Sequence, residues 1–343
     1  MNEEVTLEHP VVTGARAGEG SRKERSQLPL NPFWVIVHKE IRDHVRSWRF
    51  IIMVGLLAMT CLASLYTALT NIASAIKPGD PDSSFLFLKL FTATDGTLPS
   101  FTVFINMLGP LLGISLGFDA INSEQNRGTL SRLMAQPIHR DFLLNAKALA
   151  SLIVISILFF ALCFVVMGLG LLKIGIPPTA EEFWRIIFFI GISICYVAFW
   201  LNLSVFFSVK FRQPATAALC GISVWLFFTI FYEMIVNVIA KASAPSIFAT
   251  PQEIMHYQKF MSTLLGVVPS QLYSDATTTL LMPSVRSLGP LTMEQVYGTI
   301  PSPLPLGQSL LVVWPEVTGL ISATVVCFAL SYFSFMRREI RPR

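Results

Sequence analysis

Charge is scarce in this chain. Aspartate, glutamate, lysine and arginine make up 13% of its 343 residues, about half the share in an average soluble protein. Apolar residue types make up 53%, and the mean hydropathy is +0.61. A soluble domain of this length has no interior large enough for so much apolar surface, so the composition excludes a soluble globule and points to a polytopic membrane protein. Cysteine is sparse too. Cys61, Cys163, Cys195, Cys220 and Cys327 all lie inside apolar runs, with no CxxC pair and no neighbouring histidine. That argues against a disulfide framework or a metal site and for small core residues.

Catalytic motifs are missing as well. No GxxxxGK[ST] phosphate loop occurs; that loop is what brings backbone N–H groups, a lysine and a hydroxyl onto phosphates and Mg²⁺. No polar segment is long enough for a nucleotide-binding domain. HExxH, paired intramembrane aspartates and metal-ligand clusters are absent from the sequence. "GISLG" at 113–117 matches G-x-S-x-G, but the nucleophile elbow needs a strand, a turn and a helix. Here the motif sits in an apolar run, and none of the five histidines lies in such a run to act as base. Gly109, Gly113 and Gly117 instead recur every fourth residue, as small residues do on a helix face that packs closely on another helix. The expectation is a chain without catalytic residues, cofactor or metal of its own, and without a nucleic-acid partner.

What the sequence does have is apolar runs of membrane length. Six spans are expected, at about 51–75, 98–120, 146–172, 186–208, 214–238 and 316–336, giving an all-α integral membrane protein in the lipid bilayer. Of the 25 lysines and arginines, 18 fall in the N-terminal segment, 119–147, 209–213 and the C-terminal tail. By the positive-inside rule both termini are then cytoplasmic in the cell membrane. Residues 1–30 read as a disordered cytoplasmic tail without a cleavable signal peptide. Residues 31–343 read as the membrane domain, with an external segment at about 241–312. There a helix, a break at Pro269 and a second short helix are expected. Pro315 and Glu316 are expected to mark the start of the last span.

Two polar stretches face the cytoplasm in this topology. "NPFWVIVHKEIRDHVRSWRF" (31–50) puts Phe33, Val37, Ile41, Val45 and Trp48 near one helix face, with Lys39, Glu40, Arg42 and Arg46 elsewhere. It reads as an amphipathic helix lying in the plane of the interface, its apolar face in lipid and its basic groups near lipid phosphates. "SEQNRGTLSRLMAQPIHRDFLLNAK" (123–147) is far longer than a connector between antiparallel helices needs. It reads either as a solvated charged face or as a docking surface.

This second stretch, with Glu124, Arg127, Gly128, Thr129, Leu130, Pro137, Arg140 and Lys147, resembles the signature of type-2 ABC exporter permeases, and of the NosY-like copper-maturation branch among them. The likeness extends to the N-terminal helix, the six spans, "PSQLYSDAT" (269–277) and "FALSYFSFMRREIR" (328–341). The resemblance implies a coupling helix between spans two and three, docked on a separate ABC ATP-binding subunit that holds ATP and Mg²⁺. Glu124, Arg127, Gly128, Thr129, Leu130, Arg132, Pro137 and Arg140 would form that contact. Lys210 and Arg212 would give a second, smaller one. It also implies a permease dimer, expected to be a homodimer, working as an exporter, with short external helices forming an exit. Glu233, Tyr257 and Tyr273 are the candidate exit-gate residues. The competing reading is a stand-alone secondary transporter or channel, for which Glu233 is the only ion-coupling candidate.

Overall fold

The computed structural model describes residues 32–70, 85–94, 96–129, 140–245, 249–284 and 303–337. The expected tail at 1–30 lies outside these residues. Among them every regular element is helical.

Helix α1 spans Pro32–Arg46, and α2, Trp48–Thr70, follows after a single residue. Ser47 makes that break: its hydroxyl accepts from the Phe50 N–H and so caps the first turn of α2. A short helix, α3 (Leu86–Thr92), buries Phe87, Leu88, Leu90 and Phe91. Next come α4 (Phe101–Gly117), the five-residue α5 (Asn122–Asn126), α6 (Arg140–Ile174) and α7 (Ala180–Lys210). Helix α8 (Pro214–Leu226) passes through a π-helical turn at Phe227–Phe231 into α9 (Tyr232–Ala242). Helices α10 (Pro251–Leu265), α11 (Pro269–Leu281) and α12 (Leu306–Met336) complete the fold. Pro251 and Pro269 each occupy a first helical position, where the missing N–H costs no hydrogen bond.

Six of these stretches are long and apolar enough to cross a bilayer: Trp48–Thr70, Phe101–Asn126, Asp141–Ile174, Ala180–Lys210, Pro214–Ala242 and Leu306–Met336. The last departs from expectation. Helix α12 starts ten residues before Glu316 and runs through Pro315. An apolar helix tolerates an internal proline where neighbouring helices or side chains serve the freed backbone groups. Glu316 therefore lies within a span.

Helix α7 is the axle. Residues Thr179 and Glu182 form a reciprocal capping box at its start, and 67% of its apolar window is buried, the largest share of the six. Glycines bring α4 against it. A Cβ at Gly113 would lie 2.7 Å from the Val197 carbonyl oxygen, and one at Gly117 2.7 Å from that of Leu201, while at Gly109 it would meet the Val197 side chain at 3.0 Å. The two backbones are thus too close for any side chain at 113 or 117. Polar groups then stitch the pair. Pro110 deprives the Asn106 carbonyl of its helical donor, and the Tyr196 hydroxyl supplies one at 2.9 Å. The Ser204 hydroxyl donates to the Ile114 carbonyl at 3.2 Å.

Candidate functional site

The end of the bundle that carries α1 holds a cavity of about 650 Å³, lined by groups from α1, the start of α2, the α4–α5 corner and α6. Helical spacing delivers its side chains in pairs. Glu40 and His44 lie one turn apart on α1, as do Lys147 and Ser151 on α6. Lys147 Nζ is 2.9 Å from Glu40 Oε2, and Ser151 Oγ is 3.0 Å from His44 Nε2. Both pairs are 107 residues apart, so α1 and α6 run parallel and in register.

Lys147 also reaches Glu124 Oε1 of α5 at 2.9 Å, with its side chain only 7% exposed. An ammonium this deep requires partners that remain charged, and two carboxylates from two other elements provide them. Lys39 completes the cluster, 2.8 Å from Glu40 Oε1, 3.2 Å from Asp43 and 3.6 Å from Glu124. Burial alone would raise the Glu40 pKa, but the neighbouring Lys147 and Lys39 ammoniums reverse this and hold it below the usual value. Burial pushes His44 below its ordinary value, so the ring stays neutral at pH 7. Glu124 Oε2 is buried with no hydrogen-bond partner. Beside the cluster, Arg49 pairs with Asp119 at 2.6 Å and lies over the Phe118 ring.

Helix α5 is held by neighbours on both sides. Ser208 of α7 accepts from the Ile121 and Asn122 N–H groups, at 3.0 and 3.3 Å, capping the corner. The Asn126 amide donates to the Arg212 carbonyl across the α7–α8 loop at 3.0 Å. The Thr129 hydroxyl donates to the Glu124 carbonyl at 3.1 Å. Gly128 sits at φ +69°, a left-handed conformation that explains a glycine there.

The placement of the expected residues differs in part from the sequence reading. Arg127, Lys210 and Arg212 are exposed, whereas Glu124 and Glu40 are buried and turned toward Lys147. Arg140 opens α6. Leu130, Arg132 and Pro137 lie outside the described residues. On α1, Arg42 and Arg46 are exposed, but the Phe33–Val37–Ile41 face does not point to lipid. Val37 is fully buried against Ala146 and Ala150 of α6, with Phe33 and Ile41 alongside. Two alanines leave a shallow groove that a valine-bearing ridge fills. The apolar groups that α1 leaves exposed are Trp34, Val35 and Val45. Lys147 carries the cluster; in sequence it stands at the end of the signature stretch and just inside a membrane-length apolar run.

The opposite end is arranged differently. Arg185 of α7 is completely buried. Its guanidinium donates to Glu181 on its own helix, to the Leu280 and Leu304 carbonyls and to the Ser309 hydroxyl, so it pins the end of α11 and the start of α12. Glu182 accepts from the Phe87 N–H at 2.9 Å and seats α3. Of the three expected gate residues, Tyr273 is fully buried, stacked on Tyr196 with ring centroids 4.5 Å apart, its hydroxyl 3.1 Å from that of Ser193. Tyr257 donates to the Ala240 carbonyl at 3.0 Å, tying α10 to α9. Glu233 faces a cavity of about 460 Å³ between α4, α8–α9, α10 and α11, while Tyr273 borders a smaller one of about 210 Å³ between α4 and α11.

Comparison with known proteins agrees with this architecture. The family model described as "ABC-2 family transporter protein" matches residues 34–340. The protein described as "Probable ABC transporter permease protein NosY" from Pseudomonas aeruginosa is 26% identical over 207 residues, covering 59% of this chain and 68% of that protein. Its namesake from Stutzerimonas stutzeri is 24% identical over 212 residues, covering 60% and 70%. The match runs from α1 to beyond the last span and takes in both ends of the bundle. This chain therefore belongs to the ABC-2 family of transporter proteins, as a multi-pass, NosY-like membrane subunit.

Proposed function

We propose that this chain is the permease subunit of an ATP-driven exporter of the cell membrane, acting as a homodimer with both termini in the cytoplasm. A separate ABC ATP-binding subunit docks on the segment that begins with α5 and binds the ATP and Mg²⁺ on its own residues. The family supplies the subunit type, and the NosY-named relatives are described as permeases. The excess of lysine and arginine at the α1 end favours that end as cytoplasmic. The exposed Trp34, Val35 and Val45 suit an interfacial position for α1, with Arg42 and Arg46 near lipid phosphates.

The observation that carries the reading is the double bridge of Lys147. One ammonium joins α5, where a motor subunit would push, to α1 and to the first turns of span three. A push on α5 changes the distance between charges in a site of low dielectric, where a small displacement alters the energy strongly. Displacement of α5 is thereby passed to α1 and α6. The Asn126–Arg212 bond extends the same surface to the α7–α8 loop. Translocated substrate leaves at the opposite end, past Glu233 and the α9–α10 pair closed by Tyr257. Tyr273 serves as packing behind that path.

The test is co-purification from native membranes in mild detergent. An ATP-binding protein accompanies the wild type and is lost from Arg127→Glu, whose own elution profile is unchanged because Arg127 is exposed. A wild-type chain that brings down no ATP-binding protein overturns the reading.

A further inference from the structure

The cavity at the far end has a one-sided chemistry. Among the described residues that line it, Glu233 is the only aspartate, glutamate, lysine, arginine or histidine. Among the described residues its carboxylate makes neither an ion pair nor a hydrogen bond. Beside it stand Trp225, Phe228 and Tyr232, whose rings form one wall. Tyr232 is fixed: its hydroxyl donates to the Leu264 carbonyl at 2.8 Å, and its ring centroid is 5.8 Å from that of Phe228. On the opposite side, Asn106 of α4 donates its amide to the Ser270 carbonyl at 3.4 Å, while its Oδ1 is buried with no partner.

The backbone explains why these groups converge. The π-helical turn at Phe227–Phe231 inserts one residue into the helix and so widens the face that it turns to the cavity. Both Phe228 and Thr229, and then both Tyr232 and Glu233, line it. Single-turn π-bulges of this kind gather at functional sites. Glu233 lies roughly 30 Å along the helix from Pro214 at the usual rise per residue, which puts it near the far boundary of a hydrocarbon layer of about that thickness.

We propose that this cavity binds an organic cation, an amine or other onium group carried on an apolar body. An anion is repelled by Glu233 and finds no lysine or arginine among the described residues of the wall. A neutral apolar ligand would strip water from the carboxylate and give nothing in return. A small hard metal ion is held by several carboxylate or carbonyl oxygens converging on one point, whereas this wall offers one carboxylate, with its amides and hydroxyls spread over separate helices and aromatic faces between them. An organic cation suits the carboxylate and the rings together. Its charge pairs with Glu233 and lies over aromatic rings, an interaction that strengthens when water is excluded. Its N–H or polarised C–H groups reach Asn106 Oδ1, and its body fills the apolar remainder. The volume falls within the range of sites for drug-sized molecules. As a statement about what is exported, the inference rests on the permease reading; as a statement about binding, it does not.

The experiment is equilibrium binding of radiolabelled tetraphenylphosphonium to the full chain in lipid nanodiscs, with empty nanodiscs subtracted. Tetraphenylborate, of the same shape and opposite charge, is the comparison. The expected result is saturable binding of the cation and none of the anion. Glu233→Gln weakens the cation about tenfold or more, with no change in thermal midpoint because the side chain is exposed. Trp225→Leu weakens it less, and Trp225→Phe restores it. Equal binding of the two ions, no saturable cation binding, or an unchanged affinity in Glu233→Gln overturns the proposal. Loss of the ATP-binding partner would overturn the permease reading alone and leave this measurement intact.

Discussion

Each end of the bundle is held by one buried cation, and the two cations are satisfied in different ways. Lys147 bonds to two carboxylate side chains from two other elements, α1 and α5. Arg185 bonds to its own helix and to backbone carbonyls of α11 and of Leu304, two residues before α12. Side-chain carboxylates on separate helices can shift relative to one another and still pair. Backbone carbonyls at helix ends are fixed by the chain. The α1 end is therefore a movable joint, and the Arg185 end is a rigid pin. A transporter driven from one end needs both, because motion entering a bundle with no fixed end would be lost as loosening.

The largest expected effect tests the pin. Arg185→Met leaves the Leu280 and Leu304 carbonyls and the Ser309 hydroxyl without donors in a buried site. It should cost roughly 3–5 kcal/mol, read as a fall in thermal midpoint in nanodiscs, and Glu181→Gln should not restore it. Lys147→Met comes next. It leaves two buried carboxylates with only the half-exposed Lys39 ammonium as counter-charge and should cost a similar or slightly smaller amount. Here, adding Glu40→Gln and Glu124→Gln should recover most of the loss, since the destabilisation comes from uncompensated charge. Rescue at both ends, or at neither, would erase the contrast.

Acid sharpens the same contrast. His44 has a folded pKa below its ordinary 6.5, because burial disfavours the charged ring. The unfolded chain then binds the proton more readily, so stability falls as pH drops below about 6.5. Glu40 also has a depressed folded pKa, and its contribution is present above the ordinary 4.5 and lost as pH falls through the folded value. Thermal midpoints should decline first between pH 6.5 and 5, and His44→Gln should remove that part of the slope. A profile unchanged by this substitution would separate His44 from the joint. The smallest effect on stability is expected from Arg127→Glu, within about 0.5 kcal/mol, as for an exposed residue with no ion pair among the described residues. Its effect should fall on the ATP-binding subunit alone.

Hydropathy made the six spans legible, and the four-residue recurrence of Gly109, Gly113 and Gly117 made the close α4–α7 approach legible. Both are local patterns. Pro269 likewise announced the break between α10 and α11. The start of α12 was misjudged because Pro315 signals a helix boundary in water, whereas an apolar helix can carry it. The charged joint was the hardest to read. Glu40 and Glu124 look like solvated residues in polar segments, and only their pairing with Lys147, 107 and 23 positions away, shows them to be interior. The role of Arg185 is hidden for the same reason: its partners at Leu280 and Leu304 are carbonyls, which leave no trace in sequence. Tyr273 is an exit candidate through the family resemblance, yet its ring is fully buried and stacked on Tyr196.

The central claim is that displacement of α5 passes to α1 and α6 through Lys147. Hydrogen exchange of the complex with its ATP-binding subunit, with and without a non-hydrolysable ATP analogue, tests it most directly. The account predicts that the nucleotide changes amide protection in α5, α1 and the first turns of α6 of the wild type. In the triple variant Lys147→Met, Glu40→Gln, Glu124→Gln, which keeps the fold and the exposed Arg127, only α5 should respond. A response of α1 and α6 in that variant equal to the wild type would contradict the account.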